Sequence, residues 1–158
     1  MPIAHAPKLF EWITDQDVLL TIPADNKKKI FEAFAAHGVK NKKLKASQVD
    51  DVVAGLLKRE KLGTTGLGNG IAVPHTELEG LKKTIVLLGV SQRGVEFHSL
   101  DGEAANFFMV LILPLGEKET RLILISQFCR MSKDHFVMEK LREARTAAEV
   151  IDAIKVGG

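Results

Sequence analysis

The chain has 158 residues, 46% of them hydrophobic and 27% charged, enough for one domain that buries roughly two thirds of its unfolded surface. A formal net charge of +2, no tyrosine and few aromatics argue against a nucleic-acid partner, because neither a global positive field nor a stacking motif is present. No run approaches the roughly 20 apolar residues of a membrane span, and Met1 to Lys8 lack the regions of an export signal, so a cytoplasmic protein without membrane insertion is expected.

Val18-Leu19-Leu20-Thr21-Ile22 is a short apolar and β-branched run stopped by Pro23, and reads as a strand. A helix is expected from Ala24 to about His37, where Ile30, Phe31, Phe34 and Ala35 recur at helical spacing and Gly38 supplies a stop. Lysines concentrate in this third of the chain, at 27 to 29 and at 40, 42, 43 and 45. They could face an acidic partner, although ordinary solvated helix surface explains the same pattern. Ser47 with Asp50 is expected to open a second amphipathic helix carrying Val49, Val52, Val53, Leu56 and Leu57.

A glycine-dense loop follows, from Gly63 to Gly70, then the apolar Ile71-Ala72-Val73 and Pro74-His75. Thr84 to Val90 reads as a buried strand, Gly94 to Phe97 as a short extended piece, and Asp101-Gly102 as a turn. Asn106 to Leu113 reads as a central strand closed by Pro114, with Gly116 opening a loop. Helices are then expected over Glu117 to Met131, from Asp134 through Val137 and Leu141, and from Thr146 with Glu149 through Val150, Ile151 and Ile154. The single cysteine, Cys129, lies in the first of these and has no partner for an internal disulfide, which fits a reducing compartment. Strands interleaved with helices, without a repeat or linker, indicate one α/β domain over residues 1 to 158.

The glycine loop carries the chemical signal. A dinucleotide fingerprint needs a strand before the glycines and a helix after them, and a Walker loop needs Gly-Lys-Ser or Gly-Lys-Thr; both are missing. Five dispersed histidines and one cysteine give no zinc spacing, and there is no Gly-x-Ser-x-Gly elbow. His75 remains, held by Pro74 after a loop whose amides can approach an anion. A neutral imidazole can accept a phosphoryl group and release it, provided cations or amides hold the oxygens. Arg59, Thr64, Thr65 and the amides of Gly66, Gly68, Asn69 and Gly70 are near in sequence. Phosphoryl acceptance is one of several roles open to such a histidine. His98 could lie close by but reads more simply as a turn residue, and His5, His37 and His135 sit at a terminus or at helix ends.

The stretch from Lys58-Arg59-Glu60-Lys61 through Thr65-Gly66-Leu67-Gly68-Asn69-Gly70 to Ala72-Val73-Pro74-His75 closely resembles the active-site segment of enzyme IIA (EIIA) of the mannitol, fructose and nitrogen-regulatory class. This class belongs to the bacterial phosphoenolpyruvate-dependent phosphotransferase system. The resemblance runs more weakly through Gly94-Val95-Glu96-Phe97, Leu100-Asp101-Gly102, the strand ending at Pro114 and the C-terminal helices, so that it spans residues 9 to 156. It implies a mixed sheet flanked by helices on both sides and no cofactor or metal.

It also implies that His75 takes a phosphoryl group from an HPr-type histidine phosphocarrier, with Arg59 beside it. The Thr65 to Gly70 form and the single domain look most like the nitrogen-regulatory type, which would act on a regulated partner. A sugar-transport component, passing the group to an EIIB-type acceptor, is the close alternative. One departure stands out. The family usually places a second histidine after the central strand, and here Thr120-Arg121-Leu122-Ile123-Leu124 puts Arg121 in its place. A permanently charged guanidinium can grip phosphate but cannot relay a proton, so a binding module that is never phosphorylated is a further alternative.

Overall fold

The computed structural model describes residues 8 to 157 except 24 and 25. It is built on two long strands, β5 (Ile85–Val95) and β6 (Ala105–Leu113), paired antiparallel from Ile85 opposite Ile112 onwards. Alternation along β6 explains why the sheet is covered on both sides. Phe107, Met109, Leu111 and Leu113 join one apolar cluster, whereas Phe108, Val110 and Ile112 join the other. The first cluster is closed by the turn Leu9–Trp12 and by helices α3 (Lys118–Ser132), α4 (His135–Glu143) and α5 (Ala147–Gly157). The second is closed by α1 (Lys27–Lys40) and α2 (Val49–Lys61).

Four short strands complete a mixed sheet: β1 (Val18–Leu19), β2 (Gly66–Gly68), β3 (Ile71–Ala72) and β4 (His75–Glu77). The path runs β1-β5-β6-β3-β2, and β4 continues the line of β3 along β6. Strand β1 runs parallel to β5, β3 and β4 run parallel to β6, and β2 runs antiparallel to β3. This is the single α/β domain with helices on both faces expected from the sequence.

Several boundaries differ from the sequence reading, each for a local reason. The expected start of the first helix at Ala24 lies outside the described residues; Asn26 caps α1 by accepting the Lys29 amide at 2.9 Å. Gly38 does not stop that helix but lies inside it. A Cβ there would come 2.9 Å from Leu44 Cδ1, and the Gly38 carbonyl receives the amides of Lys43 and Leu44 as the chain folds back. Ser47 does not cap α2, which is preceded by a 3-10 turn over Ala46–Gln48. The two expected pieces at 84 to 90 and 94 to 97 join in one strand, which runs from Ile85 to Val95 with a bulge between Val90 and Val95 and ends before Glu96.

The later caps form as read. Asp134 accepts the amides of Phe136 and Val137, and the Thr146 hydroxyl accepts that of Glu149; such caps are worth about 1 kcal/mol each. Among the described residues no helix is long and apolar enough to cross a membrane. Partial burial in α3 pushes the Cys129 thiol above its ordinary pKa, which leaves it a poor nucleophile.

Candidate functional site

The glycine stretch is not a loop but the fringe of the sheet. Gly68 and Gly70 take φ of +98° and +80°, and Asn69 between them takes +56°, which makes the tight reversal from β2 to β3. The chain then runs beside β6 until Pro74. Proline has no amide for the ladder and a fixed φ, so one ladder bond is missing there; its carbonyl still accepts the Leu111 amide at 3.0 Å, and regular pairing resumes at His75 opposite Leu111. The Val73 carbonyl points away from β6, to the side on which the Val73 amide donates to the Thr65 carbonyl at 2.9 Å, and His75 Nδ1 lies 2.9 Å from it. A carbonyl can only accept, so Nδ1 carries the proton and Nε2 keeps its lone pair.

His75 is half-buried. Burial is the main cause that holds its pKa below the ordinary 6.5. The Val73 hydrogen bond opposes this, Arg59 and then Arg121 push it further down, and Glu60 pulls it up. The imidazole is therefore neutral at neutral pH, with two guanidinium groups within electrostatic reach.

Each arginine arrives by a different element. Helix α2 crosses β4 closely because residue 55 is glycine; a Cβ there would collide with Thr76 Oγ1 and lie 3.2 Å from its Cβ. This approach carries the last turn of α2, with Arg59, to the end of the sheet where His75 lies, and Arg59 Nη1 donates to the Gly63 carbonyl at 2.8 Å. Arg121 comes from the opposite face. His75 pairs in parallel register with Leu111, whose side chain belongs to the cluster beneath α3, and Arg121 lies in the first turn of that helix. Glu77 fastens the approach to α3 by accepting the Gly116 amide at 3.1 Å. Neither arginine forms an ion pair with a carboxylate among the described residues.

Thus His75, Arg59 and Arg121 come together, and the expected phosphate-binding residues do something else. The Thr64 hydroxyl donates to the Phe97 carbonyl at 3.0 Å and accepts the Gly66 amide. The Thr65 amide and hydroxyl both donate to Glu60. Gly66 packs against Ser99, with a Cβ there only 3.0 Å from Ser99 Cα, and its carbonyl accepts the Leu100 amide. The Asn69 amide donates to Asp101, which lies beside Gly68, and the Gly70 carbonyl accepts from Asn106 and Phe107. The amides of Thr65, Gly66 and Asn69 serve protein acceptors, so these three are not open to an anion and brace the hairpin instead. His98 is exposed, with Nδ1 3.7 Å from Glu96, and His37 meets the Gln16 carbonyl. His5 lies outside the described residues.

Sequence reasoning overlooked Glu60. Its neighbours Lys58, Arg59 and Lys61 give no local sign of its role, yet its side chain is only 5% exposed and Lys27 Nζ lies 2.7 Å away. The lysine-rich face is also less uniform than its composition implied. Lys27 is committed to Glu60, and Lys43 to the fully buried Asp17 at 2.7 Å.

Fold and site together define a mixed α/β protein with a half-buried imidazole at the sheet's fringe, whose pKa two arginines hold down. Residues 11–156 match the family described as the phosphoenolpyruvate-dependent sugar phosphotransferase system, EIIA 2, and the chain belongs to that family. A nitrogen regulatory protein of Pseudomonas aeruginosa is 33% identical over 140 residues, covering 89% of this chain and 90% of that one. A fructose-specific EIIA component of Haloferax volcanii is 32% identical over 112 residues, covering 69% and 73%. The crystal structure of the nitrogen regulatory protein IIA-Ntr from Neisseria meningitidis superimposes with a TM-score of 0.81 at 26% identity, covering 92% and 98%.

Proposed function

We propose that this chain is a cytoplasmic phosphoryl-transfer regulator of nitrogen type, which accepts a phosphoryl group on His75 Nε2 from an HPr-type histidine phosphocarrier. The observation that carries this reading is the hydrogen bond between His75 Nδ1 and the Val73 carbonyl, which leaves Nε2 as the nucleophile in a neutral ring. In the transfer, the Nε2 lone pair attacks phosphorus in line with the donor's nitrogen–phosphorus bond. That bond breaks, its electron pair returns to the donor imidazole, and a new bond to Nε2 forms. The Nδ1 proton stays in place against Val73, which stabilises the positive charge the ring gains.

Such chemistry depends on positioning and on cations that meet the phosphoryl oxygens, and Arg59 and Arg121 fill that role. The Thr64 to Gly70 hairpin supports the histidine rather than binding phosphate through its own amides. The identity with nitrogen regulatory proteins favours a regulated protein as the downstream partner; the comparable identity with a fructose EIIA component keeps transport, with an EIIB-type acceptor, as the alternative. The missing second histidine, whose place Arg121 takes, is the support for a third role, a binding module that is never phosphorylated.

Incubation with phosphoenolpyruvate, enzyme I and phosphocarrier, followed by intact-mass measurement, tests the proposal. One phosphoryl group is expected on the wild type and none on His75→Gln. Incorporation that persists in His75→Gln, or is absent from the wild type, overturns it.

A further inference from the structure

A carboxylate in the last turn of a helix meets the negative end of the macrodipole, and a buried one is costly unless it is paired and hydrogen-bonded. Glu60 lies in such a place at the end of α2, and its oxygens are fully engaged. Lys27 Nζ is 2.7 Å away, the Thr65 amide lies 3.1 and 3.2 Å from the two oxygens, and the Thr65 hydroxyl donates to one of them. Lys27 also sits 4.3 Å above the Phe97 ring, and the Phe97 carbonyl accepts the Thr64 hydroxyl. The circuit is closed: α1, α2, the segment before β2 and the segment after β5 are tied through one carboxylate.

This circuit borders the side-chain hydrogen bond of Arg59 to the Gly63 carbonyl at 2.8 Å. Gly63, whose carbonyl accepts from Arg59 Nη1, has open space on its side-chain side, with nothing within 4 Å of a Cβ built there. No packing on that side sets the carbonyl's direction; it is set before Gly63 by the bond from the Gly63 amide to the Glu60 carbonyl at 3.1 Å and after it by the pins on Thr64 and Thr65. We infer that Glu60 is a positioning residue for Arg59, aiming its guanidinium at His75 through Thr65, Thr64 and the Gly63 carbonyl. The kinetic part of this inference rests on His75 being the phosphoryl acceptor; the structural part does not.

Thr65→Val tests it by removing a hydroxyl without changing any charge. With Arg59 present, it is expected to raise the His75 titration midpoint, followed by imidazole NMR in unphosphorylated protein, and to slow phosphoryl transfer about tenfold. Both effects should vanish in an Arg59→Met background, and Thr65→Ser should restore wild-type behaviour in both. Glu60→Gln should likewise slow transfer when Arg59 is present and not when it is Met. Equal slowing in the two backgrounds, or a His75 midpoint that Thr65→Val leaves in place, overturns the positioning role. A wild type that takes up no phosphoryl group would instead overturn the functional reading, while the NMR comparison still decides whether Glu60 acts through Arg59.

Discussion

The centre of the sheet and its fringe are stabilised by different means. Strands β5 and β6 are long, apolar on both faces and joined by a backbone ladder, so each position is defined many times over by its neighbours. Strands β2, β3 and β4 have three, two and three residues, too few to hold themselves by pairing alone. They are held by side chains: Glu60 on Thr65, Thr64 on the Phe97 carbonyl, Asp101 on the Asn69 amide, and Gly55 letting α2 rest on Thr76. Changes in the centre should therefore alter stability with little effect on the chemistry of the folded molecules, whereas changes in the fringe should do the reverse.

Phe108→Ala tests the first half. The side chain is fully buried and meets the rings of Phe34 and Phe97 at 6.1 and 5.2 Å. Its loss should cost about 3–5 kcal/mol, measured by denaturant unfolding, while the phosphoryl-transfer rate per folded molecule and the His75 midpoint stay near wild type. A large change in the His75 midpoint would show that centre and fringe are not separable.

Gly55→Ala tests the second half. Alanine favours the helix by about 1 kcal/mol, but its methyl would strike Thr76, and such overpacking costs about 1–3 kcal/mol. Stability should change little or fall, while the His75 resonances and the transfer rate change strongly, because α2 carries Arg59 and β4 carries His75. Combining it with Thr76→Ala should restore both readouts, as contacting residues couple. At the far end of the molecule, Asp134→Ala should cost about 1 kcal/mol through the lost cap of α4 and leave His75 unmoved in the same NMR titration.

The same division explains what could be read from the sequence. Strand β6 was legible as a nearly continuous apolar run over its nine residues, and helices α3 to α5 because their apolar periodicity extends over nine or more. His75 and Arg59 were legible for another reason: residue type, the adjacent proline and a short separation along the chain suffice. The three fringe strands read as a loop because two or three residues rich in glycine carry neither period nor β-propensity. Nothing local distinguishes Glu60 from Lys58 and Lys61 on the same helical turns; only the approach of Lys27 and Thr65, 33 and 5 residues away in the chain, turns it inward. Arg121 lies 46 residues from His75, and its place at the site emerged from family resemblance before the register of β4 on β6 explained it.

The smallest expected effect concerns charge at the site, and its sign is fixed by the causes acting on His75. Burial, Arg59 and Arg121 together hold the imidazole below its ordinary pKa of 6.5. The unfolded chain therefore binds a proton more readily than the folded one as pH falls through 6.5. The stabilisation contributed by neutral His75 is fully present above that pH and is lost as pH falls towards the folded pKa, below which no further loss follows. The transfer rate should follow the folded value, level while Nε2 keeps its lone pair and falling once the ring is protonated. Arg121→Gln removes one source of depression, so the His75 midpoint and the falling limb of the rate profile should both move to higher pH, with a shallower stability slope near pH 6. High salt should shrink the difference between wild type and Arg121→Gln, since a half-buried guanidinium is partly screened. A midpoint that moves to lower pH in Arg121→Gln would mean that Arg121 influences the site through packing rather than charge, and would detach the first turn of α3 from the fringe it borders.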